Sequence, residues 1–128
     1  MYWPSLEDTL LFQKRMIQAT GGLIGVLNKN TLEAALHRPF STACGQELYP
    51  TPALKVAALI EGIITMHPFL DGNKRTGIYL GLAVMKQNFP VIREPTDAEI
   101  EEIAVAVAIR EVTMPQLAEW LKSRYECF

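Results

Sequence analysis

The two most apolar stretches of the chain flank its most polar one. Ala53 to Met66 and Ile78 to Met85 are almost uninterruptedly hydrophobic, and His67-Pro68-Phe69-Leu70-Asp71-Gly72-Asn73-Lys74-Arg75-Thr76-Gly77 lies between them. Helices that are apolar all round are buried, so the pattern predicts a central helix pair. Gly62, Gly77 and Gly81 interrupt it, and each costs up to about 1 kcal/mol relative to alanine in a helix. Gly77 and Gly81 are four residues apart and share a face, which predicts close backbone packing there, with Gly62 as a candidate counterpart.

Amphipathic segments surround this pair. Ser5 caps a first helix, with Asp8 three residues on, and Leu6, Leu10 and Ile17 form its apolar stripe. Gln13 falls on the same stripe; a polar group facing a core needs a partner, structural or in support of a site. Gly21-Gly22-Leu23-Ile24-Gly25 has the wrong spacing for a dinucleotide fingerprint and reads as a helix stop and turn. A short helix follows, with Leu32, Ala35 and Leu36 inward, ending before Pro39 with His37 in its last turn. Phe40 to Pro52 has no helical period and reads as a loop or small hairpin, long enough to act as a flap. Thr96 with Glu99, and Thr113 with Gln116, begin two more helices. Their inward residues are Ile100, Ile103, Ala104 and Val107 in one, and Leu117, Trp120 and Leu121 in the other. Glu99, Glu101 and Glu102 read as a solvated helix start. The expected fold is all-α: one domain over residues 1–128, a compact six-helix bundle with a short flap or hairpin before the central pair.

Composition narrows the function. Hydrophobic residues make up 49 % of the chain and charged ones 20 %, a balance that folds rather than stays disordered. Net charge is −2 (12 basic against 14 acidic residues), which argues against direct nucleic-acid binding. Cys44 and Cys127 make neither a disulfide framework nor a metal spacing. The longest apolar run contains Lys55 and Glu61 and is too short to span a bilayer; no signal peptide is visible, so a cytoplasmic location without membrane attachment is expected.

The polar stretch carries the chemistry. Pro68 keeps His67 out of the right-handed α region and ends the helix before it. Asp71-Gly72-Asn73 is turn chemistry, with Asp71 or Asn73 able to cap the helix that follows. The first N–H groups of that helix lack intrahelical partners and sit at the positive end of its dipole. Gly72 lets a ligand approach the backbone. Lys74 and Arg75 add charge where cations oppose the dipole, a placement that points to a bound anion, phosphate above all. Asp71 beside a phosphate suggests Mg²⁺, which is commonly held by one or two carboxylates plus substrate phosphates. His67 suits a general base. Together these imply transfer of a phosphate-containing group from a Mg-nucleotide to a hydroxyl.

His67-x-Phe69-x-Asp71-Gly72-Asn73-Lys74-Arg75 resembles the signature of the Fic/Doc superfamily, and is most similar to its death-on-curing (Doc) branch. Gly21-Gly22, Arg38-Pro39, Gly45-Gln46-Glu47-Leu48-Tyr49-Pro50 and the overall length extend the resemblance over almost the whole chain. The resemblance implies that His67 is the catalytic base, that Phe69 packs inward and fixes the loop, and that Asp71 ligates Mg²⁺. It implies that Gly72, Asn73, Lys74 and Arg75 cradle the phosphates of ATP, and that the flap positions the target segment. Two departures bear on the reaction. Adenylylating Fic proteins carry glycine where this chain has Lys74, and a second arginine where it has Ile78. In the Doc branch the lysine goes with a reversed nucleotide pose and transfer of the terminal phosphate. Gly72, by contrast, is usual in adenylylating members.

Fic-type proteins are often silenced by an internal helix bearing Ser or Thr, then Glu, then Gly or Asn. The only Glu followed by Gly or Asn here is Glu61, and Ala57 stands four residues before it. The resemblance therefore implies a separate, Phd-like antitoxin. The resulting expectation is a toxin kinase that phosphorylates a protein hydroxyl, a threonine of translation elongation factor Tu being the family's target, and so inhibits translation. AMP transfer by the same loop, or an inactive helical binding module, are the alternatives.

Overall fold

The computed structural model describes residues 1–127. Six helices make up most of them: α1 (Leu6–Thr20), α2 (Lys29–His37), α3 (Pro52–Met66), α4 (Asn73–Asn88), α5 (Asp97–Ala108) and α6 (Met114–Lys122). A 3₁₀ turn, Arg38–Phe40, follows α2. Two short antiparallel strands, β1 (Thr42–Ala43) and β2 (Gln46–Glu47), form the hairpin before α3. Cys44 and Gly45 at its tip both have positive φ, 53° and 76°, as a two-residue hairpin turn of the primed type requires. The all-α expectation holds, flap included.

Local chemistry sets the helix starts. Ser5, Thr96 and Thr113 each form a reciprocal capping box, with Asp8, Glu99 and Gln116 respectively. Thr51 and Asn28 cap α3 and α2 through their side chains. Among the described residues no helix is long and apolar enough to cross a membrane.

α3 is the centre of the molecule, packed most extensively on α4 and α6. Ala57, Ala58, Leu59, Ile60 and Ile63 are fully inaccessible, so α3 is buried around nearly its whole circumference. The glycines of α4 make the close approach possible. A Cβ at Gly81 would stand 2.3 Å from Ile60 Cγ1, and one at Gly77 would stand 2.8 Å from Ile64 Cγ1. Gly62 is not their counterpart: it faces Ala35 of α2, whose Cβ would lie 3.3 Å from a Cβ there. Isoleucine side chains, rather than a second glycine, fill the notches in α4.

One further expectation changes. Leu10 is exposed, and the buried stripe of α1 is Thr9, Gln13 and Ile17. The helix is set with its polar face partly inward because Gln13 finds partners there. Lys55 is buried despite its charge. Its ammonium donates to Glu47 Oε1 at 2.8 Å, Tyr49 O at 2.6 Å and Pro39 O at 3.4 Å, and lies over the Phe40 ring. These contacts bind the flap to α3. The acidic start of α5 is solvated at Glu101 and Glu102 as expected, while Glu99 is half-buried and pairs with Arg93 and Arg124. Cys44 and Cys127 are both free thiols.

Candidate functional site

The polar stretch is the link between α3 and α4. α3 ends at Met66, and His67 caps it in the left-handed region, φ 50° and ψ 59°. Pro68 excludes the right-handed α conformation at His67 and so turns the chain out of the helix. Phe69 is buried, and its backbone bridges Val26 in antiparallel fashion. Leu27 N and Asn28 N donate to Pro68 O, and Leu70 N donates to Gly25 O. The segment between α1 and α2 is thereby stitched along the loop.

Gly72, at φ 70°, is the residue from which α4 starts. A Cβ there would meet Ile17 Cδ1 at 2.7 Å, so glycine satisfies both the conformation and the space. Among the described residues no side chain caps α4, which corrects the expectation for Asp71 and Asn73. Asn73 Oδ1 instead accepts from Phe69 N at 2.9 Å, and its Nδ2 donates to Phe69 O at 3.1 Å. Asp71 Oδ2 accepts from Leu23 N at 2.9 Å. With both side chains engaged elsewhere, the opening N–H groups of α4 keep their positive end uncovered.

His67, Leu70, Asp71, Gly72, Asn73, Lys74 and Arg75 line one open cavity of ≈ 470 Å³. Lys74 reaches out toward α5, its Nζ 3.7 Å from Glu101 Oε1. Arg75 stands at the other wall, where its guanidinium donates to Thr20 Oγ1 and to Gly21 O. That is the C-terminal, partially negative end of α1. The cavity therefore holds an imidazole, a carboxylate, a helix N-terminus and two cations.

Phe69 points away from it, into the core. Three features of the site were not read from the sequence: the Leu23 N–H on Asp71, the close approach of Gly22, and the double use of Gln13. A Cβ at Gly22 would lie 3.2 Å from Asp71 Cβ, so the turn after α1 touches the site. The signal for it was the glycine cluster, Gly21, Gly22 and Gly25, denser than a helix stop needs.

The donor set suits Mg²⁺ bound with phosphate. Leu23 N–H occupies Asp71 Oδ2 and leaves Oδ1 without a protein donor among the described residues. Those residues contain no group of three or more His, Cys, Asp or Glu able to cage a metal. A single carboxylate beside an uncapped helix N-terminus is an arrangement in which Mg²⁺ would take its other ligands from substrate and water.

This fold is a helical bundle in which a histidine and an acidic, glycine-bearing loop lead into an uncapped helix. Residues 3–85 match the model of the Fic/DOC family. The chain is also 31 % identical over 101 residues to Toxin Doc of Mycolicibacterium smegmatis, covering 78 % of each chain. It belongs to the Fic/DOC family.

Proposed function

We propose that this protein is the toxin component of a toxin–antitoxin system, and that it transfers the terminal phosphate of ATP to a hydroxyl of a protein target. The toxin reading is supported by the family and by the likeness to Toxin Doc. One observation carries the transferase reading. His67 shares a cavity with an uncapped helix N-terminus flanked by Lys74 and Arg75, which brings a base to where phosphate would be held.

In this reading His67 accepts the proton of the target hydroxyl as its oxygen attacks the γ-phosphorus. The bond between that phosphorus and the β,γ-bridging oxygen breaks, and ADP leaves. The N–H groups opening α4, with Lys74 and Arg75, hold the phosphate oxygens and the charge that builds on them. Asp71 would hold Mg²⁺, which when bound neutralises phosphate charge and orients the chain of phosphates. Lys74 favours a single terminal phosphate at the head of α4 over a diphosphate, because it supplies volume and an ammonium where glycine would leave space. Asn73 contributes backbone N–H and loop shape. A threonine of elongation factor Tu is the target that the resemblance implies, and a Phd-like antitoxin the partner that keeps the protein silent in the cytoplasm.

Incubation with elongation factor Tu and either γ-³²P-ATP or α-³²P-ATP tests the reaction. Label from the γ position only is expected, with a reduced signal for Lys74→Gly. Label from the α position would replace phosphorylation by AMP transfer, the reading that Gly72 favours. No label from either, with target mass unchanged, would leave a binding module. Expression of the protein alone is expected to arrest growth of a host that contains the target.

A further inference from the structure

Gln13 is a buried polar side chain with three hydrogen bonds. It is 1 % exposed, on α1, far in sequence from the loop it serves. Nε2 donates to Leu23 O at 3.2 Å and to Asp71 O at 3.1 Å, and Oε1 accepts from Gly25 N at 3.2 Å. Two carbonyls and one N–H surround the amide, so its orientation follows from its partners. All of its bonds go to backbone, and to the two segments that meet at Asp71.

We propose that Gln13 is a positioning residue for Asp71, acting on the cation-holding carboxylate from both sides; the proposal rests on the reading of the cavity given above. Its bond to Asp71 O fixes the backbone of that residue. Its bonds to Leu23 O and Gly25 N fix the turn whose Leu23 N–H holds Asp71 Oδ2. The carboxylate is then fixed at one oxygen and presents the other. Gly22 closes the arrangement, with its absent side chain leaving room for Asp71. Residues that orient a metal ligand in this way typically contribute about 10–100-fold to metal affinity.

The chemistry requires a primary amide. Glutamate would set a carboxylate oxygen against the carbonyls of Leu23 and Asp71 and lose both donors. Leucine would leave three buried backbone groups unpartnered. Histidine keeps one donor and one acceptor and should fall between.

The test is binding of a non-hydrolysable ATP analogue by titration calorimetry over a range of Mg²⁺ concentrations. The proteins are the wild type, Gln13→Glu, Gln13→His and, as a control for stability loss alone, Leu117→Val on α6. Exchange of the Leu23 amide by NMR is measured alongside. For Gln13→Glu the Mg²⁺ concentration giving half-maximal enhancement of binding should rise about 10–100-fold. Nucleotide affinity without Mg²⁺ should stay within about twofold, and Leu23 should exchange faster. Gln13→His should show a smaller rise, so the result stands if Gln13→Glu does not fold. Leu117→Val should lower the melting temperature and leave the Mg²⁺ requirement unchanged. Gln13 variants that match the wild type in Mg²⁺ requirement overturn the inference alone. A wild type whose nucleotide binding ignores Mg²⁺ overturns the reading of the cavity, and this inference with it.

Discussion

Asn73 holds Phe69 by both ends of its amide, Oδ1 on Phe69 N and Nδ2 on Phe69 O. The first residue of α4 thus clips the buried residue of the loop that precedes it. The clip needs a donor and an acceptor on one short side chain, which asparagine supplies. Asn73→Ala should lose both bonds, at about 0.5–1.5 kcal/mol each, and loosen the wall between His67 and Asp71. Asn73→Asp should keep the bond from Phe69 N and turn the other contact repulsive. Thermal unfolding should rank wild type above both variants, and phosphoryl transfer should fall at least about tenfold in each, since misplacement of a site by about 1 Å can cost 10²-fold. Full activity in Asn73→Ala would show that the clip is dispensable.

His67 is exposed yet sits at φ 50°, a region costly for any residue with a Cβ. Its side chain is therefore expected to serve the reaction and its backbone to carry strain. His67→Ala should reduce transfer about 10²–10⁴-fold with a melting temperature close to wild type. His67→Gly should be equally inactive and more stable than His67→Ala, by up to about 1–2 kcal/mol. Denaturant melts of the two variants measure the difference directly.

Gly81 tests the packing on which the site rests. Alanine is the better helix former by about 1 kcal/mol, but its Cβ would stand 2.3 Å from Ile60 Cγ1. Overpacking of this kind typically costs about 1–3 kcal/mol. Gly81→Ala should lower the melting temperature in spite of the propensity gain, and the double variant Gly81→Ala, Ile60→Val should recover part of the loss. An unchanged or higher melting temperature in the single variant would mean that α3 and α4 can separate freely.

Glu99 gives a pH dependence. The Thr96 backbone N–H, followed by the Arg124 guanidinium, the Thr96 side chain and the charge of Arg93, lowers its pKa from 4.5 to about 2, against a smaller opposing effect of burial. A carboxylate with a depressed folded-state pKa stabilises the fold above its unfolded value, and the contribution is lost as pH falls from 4.5 through about 2. Glu99→Gln retains the cap acceptor without the charge. Its stability deficit relative to wild type should be constant near neutral pH and shrink across that acid window. A deficit independent of pH down to about 2 would remove the charge from the explanation.

The sequence by itself determined the six helices, the capping boxes of α1, α5 and α6, and the inward faces of α2 and α5. Each is a local matter of period and capping, as the three capping boxes and the buried Ile100, Ile103, Ala104 and Val107 illustrate. It also determined the motif loop, because Pro68 restricts the residue before it and Gly72 permits the left-handed turn from which α4 starts. The glycine notches were legible as notches, but their fillers were not: choosing Ile60 and Ile64 over Gly62 depends on how two helices are rotated against each other. The tertiary structure alone decided what the polar side chains hold. Asp71 and Asn73 look like helix caps in sequence, since a cap is the nearest partner a short polar side chain can find. Folding offers Asp71 the Leu23 N–H, 48 residues away, and Gln13 the Asp71 carbonyl, 58 residues away. Lys55 is charged and sits on an apolar helix, and only the return of the flap and the turn before it supplies the oxygens that let it be buried. Hydrogen bonds between distant segments leave no period in a sequence. They exist because buried polar groups must be paired, and the partner is set by which segments the core brings together.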